Sequence, residues 1–132
     1  NPPEIGILDV ELTPEGENDA IFAGMPKQQR CLQWHSVCVT EDPEGATVLA
    51  SSDLCRNQAM RVGKHAWSMQ YHVELEPDTV RNWGDIESYR AALENSLGEG
   101  ALEAIDADAA KDMADFNANA RKLYRNFMNA VT

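Results

Sequence analysis

The spacing of apolar residues changes once along this 132-residue chain, and that change constrains the fold more than any other feature. Before it, apolar residues alternate in short runs that predict strands over residues 4–12, 31–39, 47–50, 59–62 and 65–71. From Val80 onward they recur every three or four residues, which is typical of one helix face. Strands followed by helices suit either a small α+β domain or the back half of a larger α/β domain.

Turn and helix signals divide these segments further. Gly63 at the first position after residues 59–62 favours a two-residue type II′ hairpin turn. Pro77 suits the first turn of a helix, and that helix is expected to end at Gly98. A second helix is predicted over residues 102–131, where acidic residues come early and basic residues late, as the helix dipole prefers.

The chain is strongly acidic, with a net charge of −11 spread over both halves. Such a surface repels phosphate backbones and anionic lipid, so the sequence predicts no nucleic-acid partner and no membrane partner. The longest apolar runs are only a few residues, which predicts no transmembrane helix. The first residues also lack the basic flank and apolar core of a signal peptide.

The chain has three cysteines, Cys31, Cys38 and Cys55. This odd and sparse number predicts a reducing compartment, hence a cytoplasmic protein whose cysteines are buried thiols. Cys31, His35 and Cys38 superficially resemble metal ligands, but no CxxC pair accompanies them. The sequence therefore predicts no metal site and no cofactor.

His72 and Glu74 lie where a predicted strand ends and a helix begins shortly afterwards. Residues two apart in an extended chain point to the same side, so the Glu74 carboxylate is placed to hold the His72 imidazole in one tautomer. The other ring nitrogen would then be free to activate a thiol or hydroxyl nucleophile. Spacing alone also fits an ordinary surface pair.

The segment Gln70-Tyr71-His72-Val73-Glu74 resembles the Gln-aromatic-His-Pro-Glu signature of class I glutamine amidotransferases. Further segments resemble the same family in order and at plausible spacing, and these are residues 3–6, 10–13, 21–26, 34–35, 50–52 and 57–63. The resemblance covers about Pro2 to Trp83. The residues after Trp83 resemble the variable extension of stand-alone, GMP-synthase-like members.

The resemblance implies a fold and an activity. Residues 1–84 would form the C-terminal half of a flavodoxin-like α/β domain, and residues 85–132 a helical extension packed on it. The implied reaction is hydrolysis of the glutamine side-chain amide to glutamate and ammonia through a Cys-His-Glu triad and a thioester. His72 would be the base, Glu74 would orient it, and His35 would border the substrate pocket. A synthetase domain or subunit would accept the ammonia.

The chain departs from the family pattern at three points. Val73 replaces the usual proline, and Ser36-Val37 replaces Gly-Asp after Trp34-His35. The Gly-x-Cys-x-Gly-x-Gln elbow is absent, and none of the three cysteines has the flanking glycines that permit such a turn. We therefore expect the N-terminal half with the nucleophilic cysteine, about 100 residues, to be missing from this chain. The isolated chain is predicted to be inactive, with Cys31 a less favoured replacement nucleophile.

Two other functions fit the same residues. A hydrolase of the same fold could act on a γ-glutamyl amide other than glutamine, and loss of the Asp after Trp34-His35 favours it. A non-catalytic binding module is the third interpretation, against which the presence of both His72 and Glu74 argues. His65 is expected to be exposed, and the three tryptophans are expected to anchor the core.

Overall fold

The computed structural model describes residues 2–132, so the predicted domain start at residue 1 lies outside the described residues. Five strands come first and the long helices last. The strands are β1 Glu4–Leu12, β2 Gln28–His35, β3 Ala46–Ser51, β4 Ala59–Val62 and β5 Ala66–Met69. The helices are α1 Pro14–Glu17, α2 Thr79–Gly84, α3 Glu87–Leu97 and α4 Ala101–Val131, with a 3₁₀ turn at Ala20–Phe22.

The five strands form one sheet in the order β2-β1-β3-β4-β5, and every neighbouring pair is antiparallel. β1 pairs with β2 along almost its whole length, whereas β3 meets only the end of β1, at Leu12↔Ala50. After β5 the chain returns to β2 through a single bridge, Leu32↔His72. The sheet therefore curls until its two edges meet at His72.

The core lies between the curled sheet and α4. Phe22, Leu32, Leu49 and Phe116 are fully buried there, and burial of each such side chain stabilises the fold by about 1.5–3 kcal/mol. Near its end, α4 is also held by polar contacts to the 3₁₀ turn, because the Asn126 amide donates to the backbone carbonyls of Ile21 and Ala23. The apolar side chains of β1 and of α4 thus pack into one core.

The mixed α/β class, with strands and a hairpin followed by C-terminal helices, is confirmed. The strand predicted over residues 31–39 ends at His35, and two other local predictions are wrong. The hairpin loop has three residues rather than two, because Val62 pairs with Ala66, although Gly63 does take the positive φ of +63° that the turn prediction required. The helix expected from Pro77 to Gly98 is two helices, α2 and α3.

The end of α2 packs closely on α4. A Cβ on Gly84 would lie 2.5 Å from Leu102 Cδ2, so a larger residue there would force the Leu102 side chain or the end of α2 to move. The chain then turns at Asp85 and Ile86 before α3 begins.

The prediction of three buried thiols is wrong for two of the cysteines. Cys38 and Cys55 form a disulfide, with their Cα atoms 5.8 Å apart, and it ties the β2–β3 connection to the segment before β4. Cys31 is a buried free thiol, as predicted. The cytoplasmic location stays a prediction. Within residues 2–132, no helix combines the length and the apolarity that crossing a bilayer requires.

Candidate active site

His72 lies at the point where the two edges of the sheet meet. Its backbone N–H donates to the Leu32 carbonyl and its carbonyl accepts from the Leu32 N–H, both at 2.9 Å. These two bonds fix the backbone from which the imidazole projects, while 34% of the side chain stays exposed. The base predicted from sequence is therefore anchored and accessible.

Glu74 holds the imidazole of His72. His72 Nδ1 lies 2.5 Å from Glu74 Oε1, and Glu74 Oε2 accepts from the Val73 N–H at 3.0 Å. Because an ionised carboxylate only accepts hydrogen bonds, the proton of a neutral His72 lies on Nδ1. Within the part of the chain that the structure describes, Nε2 has no hydrogen-bond partner and is free to take up a proton.

The environment of Glu74 favours its charged form. Partial burial acts to raise the pKa of this carboxyl, but the hydrogen bond from His72 and those from backbone N–H groups outweigh it, so the pKa is lower than usual. Glu74 is thus ionised at neutral pH, as its place beside the imidazole requires.

Aromatic rings pack around the imidazole. The Trp83 ring meets the His72 ring edge to face, with centroids 4.9 Å apart. Trp34 packs on Trp83 at 5.8 Å, and Tyr89 lies 6.3 Å from Trp34. Trp34, Trp67 and Trp83 pack against the core, as predicted. The contact between Trp83 and His72 was not predicted, and only the closeness of a tryptophan-bearing helix to the strand end could have signalled it.

His35 lies at the end of β2 with both ring nitrogens engaged locally. Nδ1 is 2.8 Å from the Val37 carbonyl and Nε2 is 2.9 Å from Gln33 Oε1. Alternation along the strand directs His35 and Trp34 to opposite faces. Within residues 2–132, no hydrogen bond, ion pair or ring contact joins His35 to the His72–Glu74 pair, and its role at the substrate pocket stays a prediction.

The described cysteines do not complete a triad. Cys31 is fully buried, and its thiol donates to the Leu8 carbonyl at 3.5 Å. Burial, followed by the nearby Asp9 and Glu4 carboxyls, raises the pKa of Cys31 to about 12, so it carries no thiolate at neutral pH. Cys38 and Cys55 are joined in the disulfide. His65, by contrast, is exposed in the hairpin loop, as predicted.

Comparison with known proteins points to one family. The sequence model of "Glutamine amidotransferase class-I" matches residues 6–82, more than half of the chain and the part that contains His72 and Glu74. One subunit of the glutamine-hydrolysing GMP synthase from Archaeoglobus fulgidus is 33% identical over 78 residues, which are 59% of this chain and 41% of that protein. A glutamine-hydrolysing GMP synthase from Bacillus licheniformis is 32% identical over 90 residues, which are 67% of this chain and 17% of that protein.

Solved structures agree with this comparison. A glutamine amidotransferase from Thermotoga maritima superposes with a TM-score of 0.76 and 27% identity, covering 96% of this chain and 51% of that one. A glutamine amido transferase from Methylobacillus flagellatus, at 21% identity and a TM-score of 0.71, shares the fold. The chain spans about half the length of these structures and 41% or less of the two curated relatives above.

Proposed function

Because this chain belongs to the class I glutamine amidotransferase family, we propose that it supplies the base and the orienting carboxylate for hydrolysis of glutamine. The observation that carries this proposal is the contact between His72 Nδ1 and Glu74 Oε1 at 2.5 Å, which leaves Nε2 without a partner in residues 2–132. A nucleophile, a base and a group that orients the base together form a triad for acyl transfer. The chain offers the base, His72, and the group that orients it, Glu74.

The proposed reaction has two halves. His72 Nε2 takes the proton of a cysteine thiol, the sulfur attacks the side-chain amide carbon of glutamine, and the proton passes to the departing ammonia. The product is a γ-glutamyl thioester. His72 then takes a proton from water, whose oxygen attacks the thioester, and the released thiolate recovers that proton as glutamate leaves. Throughout, Glu74 keeps the ring in one orientation, and backbone N–H groups near the cysteine would stabilise the oxyanion.

The nucleophile in this proposal comes from outside these 132 residues. Cys31 is fully buried with a pKa of about 12, and a protonated buried thiol is a poor nucleophile. Cys38 and Cys55 have no free thiol while they are joined. We therefore propose that a further segment or subunit supplies the cysteine, and that residues 1–84 complete one catalytic domain with it while residues 85–132 form a helical extension.

The relatives suggest where the ammonia goes. The Archaeoglobus protein is one subunit of a glutamine-hydrolysing GMP synthase, a name that divides the enzyme between subunits. We propose that this protein likewise delivers ammonia to a synthetase domain or subunit, and that no cofactor takes part in the glutaminase step.

The replacement of the family proline by Val73 is compatible with this function. The Val73 N–H donates to Glu74 Oε2 at 3.0 Å, a bond that proline cannot make because it has no N–H. The side chain of Val73 is buried, so the position adds a packing contact as well as a restraint on the carboxylate.

Reconstitution tests the proposal. The chain alone, and the chain co-expressed with the cysteine-bearing segment from its own gene or neighbouring genes, would be incubated with glutamine. We expect equal amounts of glutamate and ammonia from the combined sample and none from the chain alone. Glutamine hydrolysis by the chain alone would contradict the external nucleophile, and an inactive combined sample would contradict the function.

One second candidate has an observation in its favour. Ser36-Val37 stands where many family members have Gly-Asp after Trp34-His35, and Val37 is 69% exposed. Without that acidic side chain, the pocket could take a γ-glutamyl amine instead of glutamine. Turnover of γ-glutamyl amines in the same samples, compared with glutamine as kcat/KM, separates the two. No turnover of either substrate would indicate a non-catalytic module.

A further inference from the structure

We propose that the C-terminal helix α4 positions the imidazole of His72, acting through Gly84 and Trp83 of α2. The inference rests on the proposed function only in taking His72 as the base. It gives residues 85–132, which lie wholly beyond the family match, a role in the site. Trp83 and α4 are positioning elements here, since neither bears the reacting atoms.

The first step is the contact between Trp83 and His72. Glu74 restrains the imidazole only at Nδ1, and one hydrogen bond leaves rotation about its axis open. The Trp83 ring, edge to face with the imidazole at 4.9 Å, restrains the ring plane as well. Two restraints on different parts of the ring define the direction in which Nε2 points.

The second step concerns what holds Trp83. α2 has only six residues and no side-chain hydrogen bond at its N-cap, and a helix this short does not persist on its own. Its C-terminal end is held instead by its neighbours. The Gly84 carbonyl accepts from Arg90 Nε of α3 at 2.8 Å, and Arg81 Nε lies 3.6 Å from Asp106 Oδ2 of α4.

The third step is the close approach of α2 to α4. A Cβ on Gly84 would lie 2.5 Å and 2.6 Å from the two methyl carbons of Leu102. Since Trp83 is the adjacent residue, any displacement of Gly84 from α4 moves the indole relative to the imidazole. Leu102, Gly84, Trp83 and His72 therefore form a continuous path of neighbouring residues from α4 to the imidazole.

Nuclear magnetic resonance of the isotopically labelled chain tests this path without any substrate. We expect wild-type His72 to hold the Nδ1–H tautomer and to show nuclear Overhauser contacts between its ring and that of Trp83. Trp83→Ala should leave this tautomer in place, because Glu74 sets it, but should broaden the His72 ring signals as the ring plane becomes free to move. Gly84→Ala should weaken the ring contacts, and the double variant Gly84→Ala/Leu102→Ala, which makes room for the new methyl group, should restore them.

A matched control distinguishes the loss of Trp83 from the loss of a tryptophan elsewhere in the chain. Trp67→Phe removes a tryptophan that packs edge to face on Phe127, and it should leave the His72 ring signals unchanged. If Gly84→Ala prevents folding, Trp83→Phe decides, because it keeps an aromatic ring of smaller reach and should give broadening of the His72 ring signals between that of wild type and that of Trp83→Ala.

The outcomes are distinct. A folded Trp83→Ala chain with the wild-type line widths of the His72 ring signals would overturn the positioning role of Trp83, and failure of Leu102→Ala to rescue Gly84→Ala would overturn the role of α4. Inactivity of the reconstituted enzyme on glutamine, together with the expected spectra, would instead overturn the proposed function and leave the positioning path in place.

Discussion

The two sides of the bridge between β2 and the segment after β5 carry reactive residues of opposite character. On one side, Cys31 is fully buried beside Leu32, and burial raises the pKa of its thiol to about 12. On the other, His72 is one-third exposed, is held at Nδ1 by Glu74, and has Nε2 free of partners in residues 2–132. Two reactive side chains that lie close together across this bridge thus differ in their ability to exchange a proton.

Alternation along the strand places the two side chains on different faces of the sheet, and local packing sets their exposure. Leu32 and His72 pair across the bridge, so Cys31, one residue earlier, projects from the other face of β2. Cys31 is fully buried there, and a buried neutral thiol behaves as a small apolar group, whereas His72 lies beyond the end of β5 and stays partly exposed. Being close in a sheet ladder therefore does not place two side chains in one site, which is why the proposed triad takes its nucleophile from elsewhere.

The largest effect that distinguishes the two sides is on catalysis. In the reconstituted enzyme, His72→Ala should lower kcat/KM for glutamine by about 10⁴-fold or more, because loss of a triad base removes most of the chemical rate enhancement. Cys31→Ser should change kcat/KM by less than about twofold if the fold is kept. Equal losses in the two variants would contradict an external nucleophile and assign that role to Cys31.

The thiol chemistry of Cys31 gives the next largest effect. A rise of the pKa from 9.0 to about 12 lowers the thiolate fraction by about 10³-fold at neutral pH. Iodoacetamide should therefore alkylate the native chain at pH 8 about 10³ times more slowly than the chain in urea, as mass spectrometry can follow. Without a reductant, the Cys38–Cys55 disulfide does not react, so a single added group identifies Cys31. Rapid labelling of the folded chain would contradict the buried thiol.

Removing the orienting carboxylate should have a smaller effect than removing the base. Glu74→Gln keeps the size of the side chain but removes the charge that stabilises the developing imidazolium, so kcat in the reconstituted enzyme should fall, though by less than in His72→Ala. Glu76→Gln is the matched control, since Glu76 is an exposed neighbour outside the His72 contact. Similar losses in both variants would show that charge in this segment, rather than the Glu74–His72 bond, matters.

Much of the fold and the central contact of the site follow from local rules. The period of apolar residues predicts β1 at its observed bounds and α4 to within one residue, because burial of one face dominates both elements. The i, i+2 rule for extended chain predicts that Glu74 meets His72, and the structure brings their side chains together. These features depend on residues close in sequence.

The features that the sequence did not predict depend on distant contacts. Cys38 and Cys55 meet only because the β2–β3 connection folds back beside the segment before β4, and cysteine spacing does not encode such a path. Gly84 packs closely on Leu102, a residue of α4 that is remote in sequence. The Trp83–His72 contact requires both the bridge at Leu32 and the place of α2 against α4.

The smallest effect concerns the Val73 N–H. The hydrogen bonds to Glu74 outweigh its partial burial and hold the pKa of its carboxyl below the ordinary value of 4.5. A carboxyl with a lowered folded pKa stabilises the native state above its unfolded pKa, and this contribution is lost as the pH falls through the folded pKa. Because 63% of the Glu74 side chain is exposed, the contribution should be less than about 1 kcal/mol.

Val73→Pro removes the N–H that donates to Glu74 Oε2 and should therefore move the pKa of Glu74 upward, toward its ordinary value, in a carboxyl titration followed by NMR. Val73→Ala keeps the N–H while trimming the buried side chain, so it should leave the titration near that of wild type although it lowers stability. If the two variants shift the pKa equally, side-chain packing rather than the backbone bond holds the carboxylate. A Glu74 that titrates at or above 4.5 in the wild type would mean that the hydrogen bonds do not outweigh burial on the His72 side of the bridge.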